Sequence, residues 1–238
     1  RYDPCVYNKR VKDDVITIRV HVDDLKISAR SKKSLEDTIK DLQRIYGEIT
    51  VHWGPEYDYL GMMITTYPEQ KKITLSMSGY VKGCLEEFEQ DNGGQIIKVV
   101  TTPATENLFR VRSRGEAIML SKTKAASFHS TVAKLLFLAK RGRPDILLAV
   151  SFLTTRVQSP DEDDWKKLVR ILGYLKGTME YDLTISCNSL ETLTWYIDGS
   201  YAVHEDMKGQ SGAVLMIGES TILSRSNKQK VNTRSSTE

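Results

Sequence analysis

Cysteine is scarce in this chain, and so are clusters of the other residues that build disulfide frameworks and zinc sites. The three cysteines, Cys5, Cys84 and Cys187, are far apart and odd in number. This pattern argues against a disulfide framework or a zinc knuckle and favours a reducing compartment. The four histidines form no cluster with the spacing of metal ligands, so we expect each to be an ordinary surface or packing residue.

Long hydrophobic runs and targeting segments are missing as well. No apolar run approaches the length of a transmembrane helix, and neither end resembles a signal peptide. Hydrophobic residues nevertheless make up 40% of the 238 residues, which is enough for the core of one large domain or two small ones. The sequence therefore predicts an intracellular globular protein that is neither secreted nor embedded in a membrane.

The net charge of +3 is too small to identify a partner, but the basic residues are unevenly distributed. They outnumber the acidic ones between positions 91 and 145, a segment called the basic stretch below. Its members are Lys98, Arg110, Arg112, Arg114, Lys122, Lys124, Lys134, Lys140, Arg141 and Arg143. Such a stretch suits a phosphate backbone, whose neutralisation releases counterions. From charge alone, a solvated loop and helix face is the preferred interpretation.

The most informative feature is the acidic pair Asp23-Asp24. Apolar residues alternate at positions 16, 18, 20 and 22 and again at 25, 27 and 29, which predicts two strands that turn at the pair. Two carboxylates at the tip of a buried hairpin repel each other and lose hydration, and Mg²⁺ or Mn²⁺ would relieve both costs. Because Asp is also a favoured turn residue, the pair alone fits metal binding and turn chemistry equally well.

Two further acidic pairs serve as internal comparisons. Asp13-Asp14 follows the polar segment Lys9-Arg10-Val11-Lys12, which predicts a solvated turn. Asp163-Asp164 is predicted in the first turn of a helix, where acidic residues interact favourably with the helix dipole. Neither of these pairs requires a catalytic role.

The first 90 residues are predicted to combine strands with one helix. Ser31 can cap a helix that ends at Gly47 and has an apolar stripe of Leu35, Ile39, Leu42 and Tyr46. Strands are predicted at 49–53, 59–66 and 73–77, with a turn at 68–71. Gly61 would allow close approach of the backbone to a ligand, or it could form a bulge in a strand.

Residues 77–183 are predicted to be mostly helical, with a polar loop at 91–116. One helix has the apolar face Phe128, Val132, Leu135, Leu136 and Ala139, and the next begins at Pro144. A third is signalled by the capping box Ser159-Pro160-Asp161-Glu162, carries the stripe Trp165, Leu168, Leu172 and Leu175, and ends at Gly177. We expect Trp165 to be a core residue because it shares that stripe.

The last part of the chain is predicted to return to strands, at 193–197, 212–217 and 221–226, before a helix that opens at Ser235. Asp198 is expected just past the end of the first of these strands, where Asp198-Gly199-Ser200 is also good turn chemistry. Glu238 is the third-position partner of Ser235 in a possible capping box. Both acidic residues can therefore be structural.

An ordered set of short motifs resembles the reverse transcriptases of copia-type retrotransposons over nearly the whole chain. The motifs are Asp3-Pro4-Cys5-Val6-Tyr7, His21-Val22-Asp23-Asp24-Leu25, Tyr59-Leu60-Gly61-Met62, Arg143-Pro144-Asp145-Ile146, Gln158-Ser159-Pro160 and Tyr174-Leu175-Lys176-Gly177-Thr178, with Lys228-Gln229-Lys230 and Ser235-Ser236-Thr237-Glu238 at the end. The chain departs from the family at His21, where a Tyr usually precedes Val-Asp-Asp. This departure concerns nucleotide or primer contact and leaves the metal role unchanged.

The resemblance implies an α+β fold in three parts. Residues 1–90 would be the C-terminal part of a reverse transcriptase palm, residues 91–185 a helical thumb and connection, and residues 190–238 the start of a truncated ribonuclease H-like α/β domain. The implied function is that of a polyprotein fragment with RNA-directed DNA polymerase and ribonuclease H activities. The alternative is a catalytically dead or host-retained remnant that only binds nucleic acid or protein.

The resemblance also implies the site residues. Asp23 and Asp24 would be catalytic metal ligands of the polymerase, and Asp198 and Glu238 those of the ribonuclease H, with Mg²⁺ or Mn²⁺ as the cofactor. Nucleic acid would be contacted by Tyr59, Leu60 and Gly61 near the primer end and by Arg110, Arg112 and Arg114 along the backbone.

The implied partners are an RNA template, a DNA primer, an RNA–DNA hybrid, deoxynucleotides and the rest of the polyprotein, in a cytoplasmic particle or the nucleus. The chain has no initiator Met and stops within a motif. We expect that the fragment alone completes neither active site, because the family places further metal ligands upstream and downstream.

Overall fold

The structure, a computed structural model, describes residues 3–94, 97–113, 115–186 and 191–235. The chain divides into two compact units, Arg1–Leu60 (unit 1) and Gly61–Glu238 (unit 2). Each unit combines helices and strands, in agreement with the predicted α+β class. Among the described residues, no helix is both long enough and apolar enough to cross a membrane. The predicted three-part division of the chain stays a prediction.

Unit 1 begins with an antiparallel sheet of three strands in the order β1-β2-β3. Its elements are β1 (Val6–Val11), β2 (Asp14–His21), β3 (Asp24–Ser28), helix α1 (Lys32–Tyr46) and strand β4 (Glu56–Tyr59). The β2–β3 hairpin confirms the two strands predicted from the alternation of apolar residues. Its register pairs His21 with Asp24 and Val20 with Leu25.

Helix α1 has the start and the end that the sequence predicts. The Ser31 side chain accepts a hydrogen bond from the Ser34 amide, and Gly47 ends the helix with a φ of 85°. The predicted apolar stripe is only partly used, because Tyr46 is 74% exposed. Helix α1 therefore depends on its caps more than on burial.

The predicted strand at 49–53 is wrong. This fully described segment has no regular secondary structure, although its apolar residues alternate. Gly54, with a φ of 135°, and Pro55 prevent regular strand structure just before β4. Alternation without a partner strand does not form a sheet, and Trp53 remains half exposed.

Unit 2 contains a second antiparallel sheet formed by β5 (Met62–Tyr67), β6 (Lys72–Ser76) and β7 (Leu183–Ser186). The strand predicted at 59–66 starts too early, because Leu60 and Gly61 both have positive φ and form a turn. The predicted turn at 68–71 is confirmed and contains the 3-10 segment Pro68–Gln70. Strand β7 was not predicted from the sequence. It is only four residues long, and it forms by pairing with β6, which is distant in the sequence.

Four helices surround the main core of unit 2: α2 (Ser78–Asp91), α3 (Lys122–Ala139), α4 (Leu147–Thr154) and α5 (Glu162–Gly177). The predicted apolar face of α3 is confirmed, since Phe128, Val132 and Leu135 are fully buried. Trp165 is 4% exposed, and its ring centroid lies 5.2 Å from that of Phe88. It is therefore a core residue, as predicted.

Two helices begin at residues other than those predicted. Helix α4 begins only after a 3-10 turn over Pro144–Ile146. Helix α5 is capped by Asp161 and not by Ser159, because the Asp161 side chain accepts hydrogen bonds from the amides of Asp163 and Asp164. The pair Asp163-Asp164 lies in the first turn of α5, as predicted.

A buried guanidinium joins two of the sequence motifs. Arg143 is 3% exposed, and its Nη1 donates to the Thr178 carbonyl at 2.8 Å. Its Nη2 donates to Asp145 Oδ2 and to Thr178 Oγ1, both at 2.7 Å. Tyr174 Oη donates to the same Asp145 oxygen at 2.8 Å. The network fastens the α3–α4 connection to the end of α5.

The chain ends in a third antiparallel sheet, ordered β10-β9-β8 and made of β8 (Leu193–Ser200), β9 (Gln210–Ile217) and β10 (Ser220–Lys228). The three predicted strands are confirmed, and each is longer than predicted. Asp198 lies within β8, opposite Gly212, and not just past the strand end as predicted. The helix predicted to open at Ser235 would continue into residues 236–238, which lie outside the described ones.

The Arg143 network predicts a stability effect in unit 2. Replacing Arg143 by Met keeps apolar volume but leaves the Asp145 carboxylate and the Thr178 carbonyl without their buried donor. The free energy of unfolding should fall by about 3 kcal/mol, as measured by urea denaturation. Arg112→Met is the matched control, because that arginine and its partner Asp163 are partly exposed, and it should leave stability almost unchanged. Equal losses in both variants would contradict the structural role of Arg143.

Candidate active site

The β2–β3 hairpin turns through Val22 and Asp23, between the paired residues His21 and Asp24. Val22 has a φ of 52° and is 83% exposed. A β-branched residue at positive φ is a genuine outlier. Strain of this kind costs about 1–3 kcal/mol and clusters at functional sites. The sequence gives no signal for it, because Val22 fits the apolar alternation of the strand.

Both carboxylates of the candidate site are exposed to solvent. Asp23 is in the turn, and Asp24 is the first residue of β3. The prediction of a buried hairpin tip is therefore wrong, since His21 and Leu25 are exposed as well. Because both carboxylates are exposed, they keep their hydration, and burial therefore gives no reason for a cation to bind here. What remains in favour of a cation is the repulsion between two adjacent negative charges.

A third aspartate of the hairpin is structural. Asp14 is 8% exposed, and its carboxylate accepts hydrogen bonds from the amides of Val15, Arg30 and Ser31 at 2.8–3.0 Å. These bonds, led by that from Arg30, lower the pKa of Asp14 from 3.8 to about 2 together with a hydrogen bond from the Ser34 side chain. Asp13 lies in an exposed turn, as predicted, whereas the same prediction for Asp14 is wrong. Asp14 ties the start of β2 to the segment that enters α1.

The predicted primer contacts are Tyr59, Leu60 and Gly61. Tyr59 is 8% exposed at the end of β4, and its hydroxyl is buried without a hydrogen-bond partner among the described residues. Leu60 and Gly61 have φ values of 56° and 74°. Apart from its two chain neighbours, no heavy atom of the described residues lies within 4 Å of the position that a Cβ of Gly61 would take, so the backbone angle, and not crowding, favours glycine here. The bulge alternative is replaced by a turn.

Lys26 is held by the aromatic residues of β4. Its Nζ donates to Tyr57 Oη at 2.5 Å and lies 4.5 Å from the centroid of the Tyr57 ring. The Tyr59 ring is 5.7 Å from the same Nζ. On the strand pair, Lys26 lies opposite Arg19, two residues along from the pair His21–Asp24. One face of the hairpin therefore carries cations beside the carboxylate of Asp24.

The resemblance assigns the predicted metal ligands to two sites, Asp23 and Asp24 to one and Asp198 and Glu238 to the other. Within residues 3–94, 97–113, 115–186 and 191–235, no group of three or more His, Cys, Asp or Glu side chains could hold a metal ion. Asp23 and Asp24 supply carboxylate oxygens, which suit Mg²⁺ when substrate phosphates complete its coordination. Asp198 is exposed on β8 in unit 2, and Glu238 lies outside the described residues. The assignment of all four as ligands stays a prediction.

Several cations of the basic stretch are already paired with carboxylates. Arg112 donates to Asp163 at 2.5 and 3.2 Å, which holds the pKa of Asp163 below its usual range. Lys124 Nζ lies 2.9 Å from both oxygens of Glu162. Arg110 is exposed, whereas Arg114 lies outside the described residues. Pairing makes Arg112 and Lys124 less available to phosphates than the sequence suggests.

Comparison with known proteins finds relatives that span almost the whole chain. It is 29% identical over 99% of its length to the retrovirus-related Pol polyprotein from transposon TNT 1-94 of Nicotiana tabacum. It is 28% identical over 94% of its length to a transposon Ty5-1 protein of Saccharomyces cerevisiae. The retrovirus-related Pol polyprotein from transposon RE1 of Arabidopsis thaliana is also 28% identical, over 94% of this chain.

The coverage of these relatives is uneven. The chain spans 18% of the TNT 1-94 polyprotein and 14% of the RE1 polyprotein, but 70% of the Ty5-1 protein. No family model and no solved structure matches the chain. The predicted resemblance to copia-type retrotransposon proteins is confirmed by the names of these relatives.

The hydrogen bonds of Asp14 predict an acid-sensitive hairpin. Its carboxyl has a lower pKa in the folded state, about 2, than the ordinary 3.8, so the unfolded chain binds the proton more readily. The stability from Asp14 is present above pH 3.8 and is lost as pH falls towards 2. Asp14→Asn should lower the melting temperature at neutral pH, because an amide cannot accept all three bonds, and should weaken the acid dependence.

Asp13→Asn is the matched control for this experiment. It changes the neighbouring residue in the same way but in an exposed position. Its melting temperature should follow that of the parent chain at every pH, as measured by circular dichroism. If the two variants melt alike, the anchoring role of Asp14 is refuted.

Proposed function

We propose, from the premise that the chain belongs to the Pol polyproteins of copia-type retrotransposons, that it carries part of a two-metal RNA-directed DNA polymerase site and the start of a ribonuclease H domain. The β2–β3 hairpin is the observation that supports the assignment of a polymerase site. It presents Asp23 and Asp24 at an exposed turn whose backbone is strained at Val22. Exposure lets a triphosphate and a primer end reach the carboxylates.

The residues around the turn have distinct tasks in this proposal. Asp23 and Asp24 would hold Mg²⁺, which when bound stabilises the charge that develops during phosphoryl transfer. Val22 fixes the direction in which the chain enters Asp23. Arg19 and Lys26 lie on the same face as Asp24 and favour the approach of phosphate groups. Asp14 keeps the base of the hairpin in place without touching the substrate.

The proposed ribonuclease H contribution rests on β8. Asp198 is exposed there, and its cross-strand neighbour is Gly212, which has no side chain to cover it. An open carboxylate on a strand can bind a metal ion together with acidic residues supplied from elsewhere. We assign Glu238 to the same site by its position in the family motif.

The partners follow from the two activities. An RNA template, a DNA primer, deoxynucleotides, an RNA–DNA hybrid and the remaining polyprotein would all contact the chain, within an intracellular particle or the nucleus. Arg110 and Arg112 are assigned to the nucleic-acid backbone. Arg112 would first have to exchange Asp163 for a phosphate.

The two activities can be separated by charge removal in a full-length polyprotein that contains this chain. Asp23→Asn should abolish RNA-templated DNA synthesis and preserve ribonuclease H cleavage, whereas Asp198→Asn should do the reverse. Each amide keeps the side-chain shape but removes the charge that holds a metal ion. Primer extension on an RNA template and cleavage of a labelled RNA–DNA hybrid are the two assays.

Asp13→Asn is again the control, and it should preserve both activities. If it were as damaging as Asp23→Asn, the assignment of the hairpin carboxylates would be refuted. Circular dichroism and thermal melts of each variant detect misfolding, which would remove both activities together. A parent polyprotein without either activity would favour the remnant that only binds nucleic acid or protein.

A further inference from the structure

A groove with a volume of about 560 Å³ lies in unit 2 between helices α3 and α4 and strand β10. This volume falls within the range of about 300–1,000 Å³ typical of ligand sites. Lys140 and Arg141, just after α3, form part of one wall, and Arg225 on β10 belongs to the opposite one. No carboxylate is among the described residues that line the groove.

The three cations of the groove differ from the members of the basic stretch that are paired with carboxylates. Within the described ranges, Lys140, Arg141 and Arg225 form no ion pair with a carboxylate, whereas Arg112 and Lys124 do. The Arg141 guanidinium carbon lies 3.7 Å from the centroid of the Phe137 ring, which holds the side chain against α3 without neutralising it. The groove thus holds three positive charges that no described carboxylate neutralises.

Neutral hydrogen-bonding groups complete the lining. Ser151 and Thr154 contribute from α4, and Thr221, Ser224, Ser226 and Asn227 contribute from β10. The Ser224 hydroxyl is buried and has no hydrogen-bond partner in the part of the chain that the structure describes. Because this oxygen is inaccessible, the groove offers a ligand its cations and its other polar groups.

The two walls are connected to each other. Ser151 Oγ donates to the Ser226 carbonyl at 2.7 Å, and Gln210 Nε2 donates to Ser226 Oγ at 2.7 Å. Gln210 Oε1 lies 2.9 Å from Nε2 of His204, a residue that is 5% exposed. The spacing between α4 and β10 is therefore set by internal contacts of the protein.

We propose that this groove is a binding site for the phosphate groups of a nucleic-acid strand. The inference rests on the proposed function, because it names where a strand would contact unit 2. Lys140, Arg141 and Arg225 would contact phosphate oxygens, and the exposed Asn227 amide would donate further hydrogen bonds. Phosphates are favoured over an acidic peptide, because a groove with cations and hydroxyls along both walls matches a regular backbone of negative charges.

The test compares two double variants of the 238-residue chain, each lacking two positive charges. Lys140→Gln with Arg225→Gln changes the groove. Lys33→Gln with Lys40→Gln changes exposed residues of α1, outside the groove and the basic stretch. Binding of a short fluorescein-labelled single-stranded DNA is measured by anisotropy over a series of salt concentrations, and circular dichroism checks the fold of each variant.

The groove variant should bind the DNA about 10-fold more weakly at moderate salt, and its slope of log K against log salt should be smaller by about 1 to 2. The α1 control should match the parent chain in both quantities. Asn227→Asp adds a negative charge inside the groove with almost no change in shape, and it should also weaken binding. This single variant tests the site without removing any cation.

Three results would overturn the inference. Parent-like affinity and salt slope in the groove variant, together with weaker binding by Arg110→Gln with Arg112→Gln, would leave the proposed function standing and remove only the groove. A polyglutamate peptide that binds as tightly as the DNA, and is lost in the groove variant, would assign the site to a protein ligand. A parent chain that binds no DNA would refute both the groove and the nucleic-acid contacts of the proposed function.

Discussion

The buried guanidinium of Arg143 is the interaction on which the arrangement of unit 2 depends. It satisfies the end of α5 at Thr178 and the α3–α4 connection at Asp145 with one planar set of donors. The chain leaves α5 at this point and then forms β7, which pairs with β6. Two motifs that resemble a polymerase family are thus explained by folding and not by chemistry.

Local patterns in the sequence predict the elements that depend on local interactions. Helix α1 between Ser31 and Gly47, the buried face of α3 and the three final strands all follow from periodicity and capping. Features that depend on distant contacts were missed or misplaced. Strand β7 requires β6 as its partner, and residues 49–53 alternate without pairing with any strand in the part of the chain that the structure describes.

The candidate site shows the same division. Periodicity predicts a hairpin at Asp23 and Asp24, but it carries no information on exposure, which depends on what packs over the turn. It also cannot indicate the positive φ of Val22 or the amide bonds that bury Asp14. A count of basic residues likewise overestimates the number of cations available to a ligand. It does not show which cations already pair with a carboxylate, as Arg112 does with Asp163. Pairing, and not number, decides which cations remain available.

The carboxylate of Asp14 has a consequence for the dynamics of unit 1. The amides of Val15, Arg30 and Ser31 share one acceptor group, so none of them can open far without disturbing the other two. The base of the hairpin and the entry to α1 should therefore fluctuate as one cooperative foldon, with similar hydrogen-exchange protection at all three amides. Local unfolding would then start at the opposite end of the hairpin, at the exposed turn that carries Val22 and Asp23.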